Sequence, residues 1–262
     1  MRVEEILSIE ANKRAHMSHS VERFGRCIIA GTIHEGIVQD DYFISGAQRV
    51  PLHEVKPLAP CLPTKIIGVG RNYAEHAQEM NNPLPKEPLL FFKPPSALND
   101  PDGDIVYPAQ THELHYEGEL AVVIGSRCRN VFKTDAARFI RGYTLCNDVT
   151  ARDLQRNDGQ WSRAKGSDTF APLGPWIVSG LDPARLQLRT FLNGHLRQDA
   201  RTSDLIFDVP TLVEFISASF TLEAGDVITT GTPKGVGPLQ PGDVIEVRIE
   251  EIGTLRNRVV AA

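Results

Sequence analysis

The chain has 262 residues, of which 41% are hydrophobic and 23% are charged, and its formal net charge is −5. This composition is ordinary for a globular protein, and its acidic balance argues against a nucleic-acid or anionic-membrane partner. No apolar run approaches the roughly 18 residues that a membrane span needs. We therefore expect a protein that binds neither nucleic acid nor membrane.

The N-terminal segment, residues 1–20, carries charges where a signal peptide needs an apolar core: Glu4, Glu5, Glu10, Lys13 and Arg14. We predict that this segment is disordered or extended, and translation could start at Met1 or at Met17. The four cysteines lack metal-ligand spacing, and nothing in the sequence indicates an oxidising compartment. The cytoplasm is the expected location.

Residues 21–57 form the first region with a clear pattern. Short β-branched runs alternate there with glycine and aspartate, which is typical of strands joined by turns. A proline-marked stretch, residues 57–63, comes next. We predict a small N-terminal β domain over residues 21–57 and a larger second domain over residues 58–262.

Residues 65–83 predict a strand, a turn and one or two helical turns that stop at Asn81 and Asn82. His76 and Glu79 are three residues apart, so a helix places both side chains on one face. A carboxylate next to an imidazole orients the ring and raises its basicity, which suits a general base. The alternative is a solvated pair on an exposed helix face.

Two glutamates lie at the start of an apolar, β-branched run, residues 116–124, which predicts a buried strand. Glu117 and Glu119 would point to the same side of this strand. Burying like charges costs several kcal/mol unless a cation compensates, and Asp148, after the apolar run at 142–147, can add a third carboxylate. Such oxygen ligands suit a hard ion: Mg²⁺, Mn²⁺ or Ca²⁺. The alternative is an exposed pair on an edge strand.

The remaining elements are two helices and a strand-rich tail. One helix is predicted over residues 134–141, capped by Thr134, and another over residues 209–220. Strands separated by turns follow from Asp226 to the C-terminus. Strands without regular alternation with helices predict an α+β protein with a mixed or rolled sheet.

Three further segments admit more than one interpretation. The loop at 231–237 is either a tight connection or a nest of backbone N–H groups that, with the Thr232 hydroxyl, receives an anionic substrate end. Lys165 lies in a polar stretch, where a lone lysine is normally solvated. His112 and His115 are three residues apart beside a strand, which does not match a zinc-binding helix and favours a surface position.

Six motifs occur in an order that resembles one protein family: Gly70-Arg71-Asn72-Tyr73-Ala-x-His76, Phe92-Lys93-Pro94, Glu117-x-Glu119-Leu120, Asp148-x-Thr-Ala-Arg152-Asp153-x-Gln155, Ala164-Lys165 and Thr230-Gly231-Thr232-Pro233-x-Gly235-Val236-Gly237. Together they resemble the fumarylacetoacetate hydrolase family, in its acylpyruvase-like and hydroxyhepta-diene-dioate isomerase-like branch. The resemblance covers about Leu58 to Val260. Each motif alone is weakly specific, whereas the ordered set is specific.

The resemblance implies a rolled mixed β-sheet flanked by a few helices, and a homodimer. It implies that one Mg²⁺ (or Mn²⁺ or Ca²⁺) is bound by Glu117, Glu119 and Asp148. The implied catalytic residues are His76, Glu79 and Lys165, of which the lysine stabilises a developing enolate. The implied substrate-binding residues are Arg71, Tyr73, Arg152, Gln155 and Thr232, although a structural role is equally expected for Arg152.

The resemblance also implies an activity on small 2-oxo acids: hydrolytic C–C cleavage of an acylpyruvate or another β-diketo acid, with the product enolate held by the metal and Lys165. The family also carries 2-hydroxyhepta-2,4-diene-1,7-dioate-type isomerases and oxaloacetate-type decarboxylases of aromatic catabolism. The His76–Glu79 pair favours hydrolysis or decarboxylation, whereas the added N-terminal β region resembles isomerase members. From a different class, a non-catalytic metal-stabilised binding module remains an alternative, but such a module would not need a base.

Overall fold

The computed structural model of the protein describes residues 21–79 and 83–262. Within these residues the chain has an α+β fold that is mostly sheet with few helices, which confirms the predicted fold class. The N-terminal segment 1–20, with both start methionines, lies outside the described residues. So does the predicted helix stop at Asn81 and Asn82.

Twenty strands are described. In chain order they are β1 (Arg23–Ile29), β2 (Thr32–Gln39), β3 (Tyr42–Ser45), β4 (Gln48–Pro51), β5 (Lys56–Leu58), β6 (Ile66–Gly70), β7 (Leu89–Lys93), β8 (Leu98–Asn99), β9 (Asp104–Tyr107), β10 (Leu114–Tyr116), β11 (Gly118–Ile124), β12 (Ile140–Asn147), β13 (Thr150–Ala151), β14 (Ala171–Val178), β15 (Gln187–Leu192), β16 (His195–Arg201), β17 (Val227–Thr229), β18 (Gly237–Pro238), β19 (Val244–Ile249) and β20 (Gly253–Ala261). The single strand predicted over residues 116–124 is instead divided between two strands, β10 and β11, because Glu117 has no strand conformation.

The described α-helices are α1 (Ala74–Glu79), α2 (Arg152–Asn157), α3 (Ser162–Gly166) and α4 (Val209–Ser219). Asp208 caps α4 by accepting a hydrogen bond from the Thr211 N–H at 3.0 Å. The helix predicted over residues 134–141 is instead a 3-10 helix, Lys133–Phe139, without a side-chain cap, so the capping role given to Thr134 was wrong. Further 3-10 helices are Leu52–Glu54, Pro95–Ala97 and Thr202–Asp204.

The described strands form three sheets. The largest has twelve strands in the order β4-β3-β2-β1-β14-β12-β11-β17-β6-β7, with β5 beside β1 and β8 beside β14. The other two have the orders β13-β10-β18 and β16-β15-β19-β20-β9. The pairs β17–β6, β14–β8 and β20–β9 are parallel, whereas pairs such as β11–β12 are antiparallel, so two of the three sheets are mixed, as predicted.

The predicted N-terminal β domain corresponds to strands β1 to β4 and part of β5. Strands β1 to β4 form an antiparallel meander around a small apolar cluster of Cys27, Val38, Phe43 and Val55. Strand β1 also pairs with β14, where Arg23 lies opposite Val178. The sheet therefore continues across residue 57, and the domain boundary there stays a prediction.

The order and direction of the central strands of the large sheet determine which sequence motifs lie close together. Strand β11 lies between β12 and β17 and is antiparallel to both, so its first residues lie next to the last residues of those strands. Strand β6 is parallel to β17 and ends at the same edge. The segments that follow β6, β12 and β17 therefore converge on the start of β11.

Strand β11 is buried along its whole length, and its side chains alternate between two apolar clusters. Leu120, Val122 and Ile124 belong to one cluster, whereas Ala121 and Val123 belong to the other. Both faces of the strand are thus packed, which fixes the backbone that carries Glu119.

Two further properties concern membranes and thiols. None of the described helices is long and apolar enough to cross a membrane. All four cysteines are buried and free of disulfide bonds.

Candidate active site and metal centre

Three buried carboxylates lie together at the start of β11. Glu117 occupies the break between β10 and β11, Glu119 lies in β11, and Asp148 follows β12. Their exposed fractions are 4%, 1% and 1%, and one oxygen from each lies within 4.8 Å of the others. Two hydrogen bonds stabilise this interruption between the strands. The Asp148 N–H donates to the Glu117 carbonyl at 2.8 Å, and the Glu117 N–H donates to Asn147 Oδ1 at 3.0 Å.

Buried cations neutralise two of these carboxylates. Lys165 Nζ donates to Glu117 Oε2 at 2.7 Å and to Asp148 Oδ2 at 2.5 Å. Lys93 Nζ donates to Asp148 Oδ1 at 2.5 Å, and Arg152 forms an ion pair with Glu117. The polar stretch around Lys165 is helix α3, and the lysine is only 2% exposed, so the solvated alternative for this residue is wrong.

These contacts decide the charge states. Burial raises the pKa of Glu117, but the charges of Arg152 and Lys165 outweigh it and hold that pKa well below the usual range. Burial lowers the pKa of Lys165, but Asp148 and Glu117 outweigh it and the net shift is upward. The contacts between Glu117 and Lys165 therefore favour the charged form of each group.

Glu119 is the carboxylate that the protein leaves without a cation. Its Oε2 accepts the Gly231 N–H at 2.8 Å, and none of the ion pairs between described residues includes it. Burial, with Asp148 and Glu117 nearby, raises the pKa of Glu119 well above its usual range. A divalent cation would remove this penalty, and an all-oxygen donor set suits Mg²⁺, Mn²⁺ or Ca²⁺. The three carboxylates thus fit the implied metal.

The predicted base lies on the short helix α1. His76 is 6% exposed, and its Nδ1 lies 3.2 Å from Glu79 Oε2. Glu79 in turn accepts the Gly235 N–H at 3.0 Å. The turn before α1 is fixed by Asn72, whose Nδ2 donates to the Thr230 carbonyl at 2.8 Å. The His76 ring is therefore oriented by a carboxylate that the glycine-rich loop holds in place.

The glycine-rich loop uses its described N–H groups on protein carboxylates. Gly231 donates to Glu119 and Gly235 donates to Glu79. The Thr232 hydroxyl donates to the Gly118 carbonyl at 2.9 Å and accepts from Gln198 Nε2 at 2.8 Å. In this structure the loop therefore organises the three buried carboxylates and the predicted base, and its predicted contact with an anionic substrate end stays a prediction.

A cavity of about 320 Å³ opens above these groups. Its lining includes all the predicted site residues except Tyr73, Glu79 and Asp148. Glu79 lies behind His76, and Asp148 lies behind Lys165. Tyr73 is 3% exposed and lines a different cavity, and its buried hydroxyl has no hydrogen-bond partner among the described residues.

The structure adds residues to which the sequence assigned no role. Phe91, Arg156 and Trp161 line the cavity, and Lys93, which stands in one of the family motifs, supports Asp148 from beneath. Gln198 joins the centre from the distant strand β16, through Thr232 and the Gly118 N–H. The position of Lys93 at the end of the apolar run of β7 could have indicated a buried lysine with a carboxylate partner. No local pattern identifies Gln198 as part of the site.

The Arg152 side chain bridges the buried carboxylates and the predicted substrate residue Gln155. Its guanidinium pairs with Glu117 and donates to Gln155 Oε1 at 2.9 Å, which places both residues of helix α2 at the cavity. This ion pair gives Arg152 a structural part in holding Glu117, beside any contact with substrate.

Comparison with known proteins agrees with this geometry. Residues 65–260 match the family model described as fumarylacetoacetate (FAA) hydrolase, C-terminal. The chain belongs to the fumarylacetoacetate hydrolase family. The resemblance drawn from the six motifs is thereby confirmed.

Three relatives show what this family member is similar to. A crystal structure of 5-carboxymethyl-2-hydroxymuconate delta-isomerase from Mycobacterium smegmatis is 49% identical, with a TM-score of 0.86 over 92% of this chain and 99% of that one. Oxaloacetate tautomerase YisK from Bacillus subtilis is 41% identical over 88% of this chain and 87% of that protein. Maleylpyruvate hydrolase from Sphingobium, crystallised with manganese(II) and pyruvate, is 33% identical, with a TM-score of 0.78 over 92% and 99% of the two chains.

Proposed function

We propose that this family member is a divalent-metal-dependent enzyme that acts on small 2-oxo acids by hydrolytic C–C cleavage of acylpyruvates and related β-diketo acids. The observation that carries the proposal is the arrangement of one cavity. His76, oriented by Glu79 at 3.2 Å, lines the same cavity as the metal-suited carboxylates Glu117 and Glu119 and the buried cation Lys165.

Glu117, Glu119 and Asp148 would hold the ion, with Mg²⁺ as the first candidate and Mn²⁺ or Ca²⁺ as alternatives. When bound, the ion supplies Lewis-acid polarisation of the substrate's carboxylate and keto oxygens. The manganese and pyruvate in the Sphingobium relative support both the ion class and the 2-oxo acid class.

In hydrolysis the protein's own residues move one proton. His76 takes a proton from water, and the water oxygen attacks the acyl carbonyl. The C–C bond to the pyruvate unit breaks, its electron pair forms the pyruvate enolate, and the imidazolium returns the proton to the enolate carbon. Glu79 keeps the ring oriented and stabilises its positive charge during this cycle.

Lys165 would stabilise the enolate charge. An ammonium group has three N–H donors, and Glu117 and Asp148 accept from two of them. The third N–H could donate to a substrate oxygen, because Lys165 also lines the cavity. A fixed donor in a water-poor site stabilises developing negative charge without reorganising.

The second candidate is isomerisation or tautomerisation of a 2-oxo acid, or loss of CO₂ from one. The same base could take a proton from carbon and return it elsewhere on the carbon chain. The specific observation in its favour is the 49% identity to the Mycobacterium smegmatis isomerase and the 41% identity to the Bacillus subtilis tautomerase.

The deciding experiment is a substrate panel with added Mg²⁺ or Mn²⁺: acetylpyruvate, oxaloacetate and a hydroxymuconate-type diene. We expect acetylpyruvate to be cleaved to acetate and pyruvate, since the oriented base can activate water. Product analysis by NMR distinguishes cleavage from decarboxylation and tautomerisation. If the protein tautomerises the diene and turns over neither acetylpyruvate nor oxaloacetate, the hydrolase proposal is wrong and the isomerase proposal takes its place.

A further inference from the structure

The glutamate that orients the predicted base has few contacts of its own. Glu79 is the last described residue of α1, and its side chain is 35% exposed. Among residues 21–79 and 83–262, its carboxylate contacts the His76 ring and accepts the Gly235 N–H at 3.0 Å. A carboxylate at the C-terminal end of a helix gains nothing from the helix dipole. The position of Glu79 therefore depends on how firmly Gly235 is held.

Gly235 is held by groups from two other strands. Its carbonyl accepts a hydrogen bond from the Tyr116 hydroxyl at 2.8 Å. Its φ is +98°, and a Cβ at this position would lie 2.1 Å from the Arg197 carbonyl oxygen in β16, so the close approach requires glycine. The exposed ion pair of Lys234 with Glu75, at 3.0 Å, adds little because solvent screens it. The Tyr116 hydroxyl is thus the polar group that fixes the Gly235 carbonyl.

Tyr116 reaches this carbonyl from strand β10. It is 2% exposed, and it lies opposite Gly237 in the pairing of β10 with β18. Its ring belongs to the same apolar cluster as Leu114 and Leu239, and it does not line the cavity. The hydroxyl is therefore held in place by a packed ring, and it supports the glycine-rich loop from outside the cavity.

We infer that Tyr116 is a positioning residue for the base. Its hydroxyl fixes the Gly235 carbonyl, the N–H of the same residue fixes the Glu79 carboxylate, and that carboxylate orients the His76 ring. The inference rests on the proposed function, in which His76 moves the proton. A base that is held less firmly slows proton transfer more than it weakens substrate binding, so the effect falls on kcat rather than on KM.

The test uses Tyr116→Phe, which removes the hydroxyl and keeps the packed ring. For the 2-oxo acid that the wild type turns over fastest, we expect kcat to fall about 3- to 10-fold, as for one lost hydrogen bond, while KM and the Mn²⁺ affinity stay within about twofold. Amide hydrogen exchange at Gly235, followed by NMR, should become faster by a similar factor. This second measurement needs no turnover.

A double-mutant cycle shows whether Tyr116 acts through Glu79. In the Glu79→Ala background, Tyr116→Phe should lower kcat by less than about twofold, because the carboxylate that the hydroxyl positions is already absent. A merely structural role would lower kcat by the same factor in both backgrounds. Tyr143→Phe is the matched control, since Tyr143 is a buried tyrosine of β12 that does not line the cavity. It should keep the wild-type kcat and the wild-type exchange rate at Gly235.

Unchanged kcat or unchanged Gly235 exchange in Tyr116→Phe would overturn the inference and leave the proposed function standing. An equal loss of kcat in both backgrounds would overturn it in the same way. Failure of the Mn²⁺-loaded wild type to turn over any 2-oxo acid would overturn the proposed function, and with it the role of Tyr116 as a support for the base.

Discussion

Replacing His76 with alanine is expected to lower kcat/KM for acetylpyruvate hydrolysis by about 10²- to 10⁴-fold, the usual cost of losing a general base. The reason is the position of its imidazole, buried at the cavity and held by Glu79 at 3.2 Å. Glu79→Gln should produce a smaller loss, because the amide can still hold the ring but no longer stabilises its charge. The measurement is kcat/KM for each variant at a fixed Mg²⁺ concentration.

The same variants separate hydrolysis from decarboxylation. Loss of CO₂ from oxaloacetate needs stabilisation of the enolate but no activated water, so His76→Ala should cost this reaction less than it costs hydrolysis. His112→Ala is the matched control, since His112 is exposed and does not line the cavity. Acetylpyruvate turnover by His76→Ala within a few fold of the wild type would show that His76 is not the water-activating base.

Replacing Glu119 with alanine is expected to abolish metal-dependent activity and to weaken Mn²⁺ binding by more than about 100-fold. Losing a group that merely orients a metal ligand costs about 10- to 100-fold in affinity, and a direct ligand should cost more. Glu119→Gln preserves the shape and tests the charge alone. Titration calorimetry with Mn²⁺ measures the affinity.

The control for Glu119 is Glu250→Ala, an exposed glutamate in the turn between β19 and β20. It should bind Mn²⁺ as the wild type does. Because Glu119 is buried without a cation, the metal-free Glu119→Gln variant should also unfold at a higher temperature than the metal-free wild type. Unchanged Mn²⁺ affinity in Glu119→Ala would remove this residue from the metal centre.

The pattern of residues within short segments was enough to predict those side chains of the site that lie on the same strand pair or the same helix. The apolar runs of β11 and β12 indicated strands, and the register of that antiparallel pair brings Glu117 and Glu119 to Asp148. The three-residue spacing of His76 and Glu79 on a helix likewise gave their contact. The α+β class followed from the scarcity of helices among many short strands.

Local pattern failed where tertiary contacts override it. The run 116–124 shows unbroken strand character, yet hydrogen bonds with Asn147 and Asp148 interrupt the strand at Glu117. A lysine in a polar stretch gives no sign of burial, and Lys165 is buried only because two carboxylates from other elements compensate its charge.

Long-range pairing was equally invisible in the sequence. The pattern of strands and turns over residues 21–57 predicted a small N-terminal β domain, and it gave no indication that strand β1 pairs with β14, more than a hundred residues further along the chain. Gln198 reaches the glycine-rich loop from another sheet in the same way. No periodicity within a window of residues encodes such neighbours, since they depend on how the sheets assemble.

The most direct test of a metal-dependent 2-oxo acid enzyme is a metal add-back titration. Protein stripped with EDTA is assayed on the 2-oxo acid that the wild type turns over fastest, while Mn²⁺ is added in known amounts. We predict negligible turnover in the stripped protein and a rise that saturates at one ion per chain, because Glu117, Glu119 and Asp148 are the one such group of potential ligands among residues 21–79 and 83–262. Full activity in the stripped protein would contradict the account.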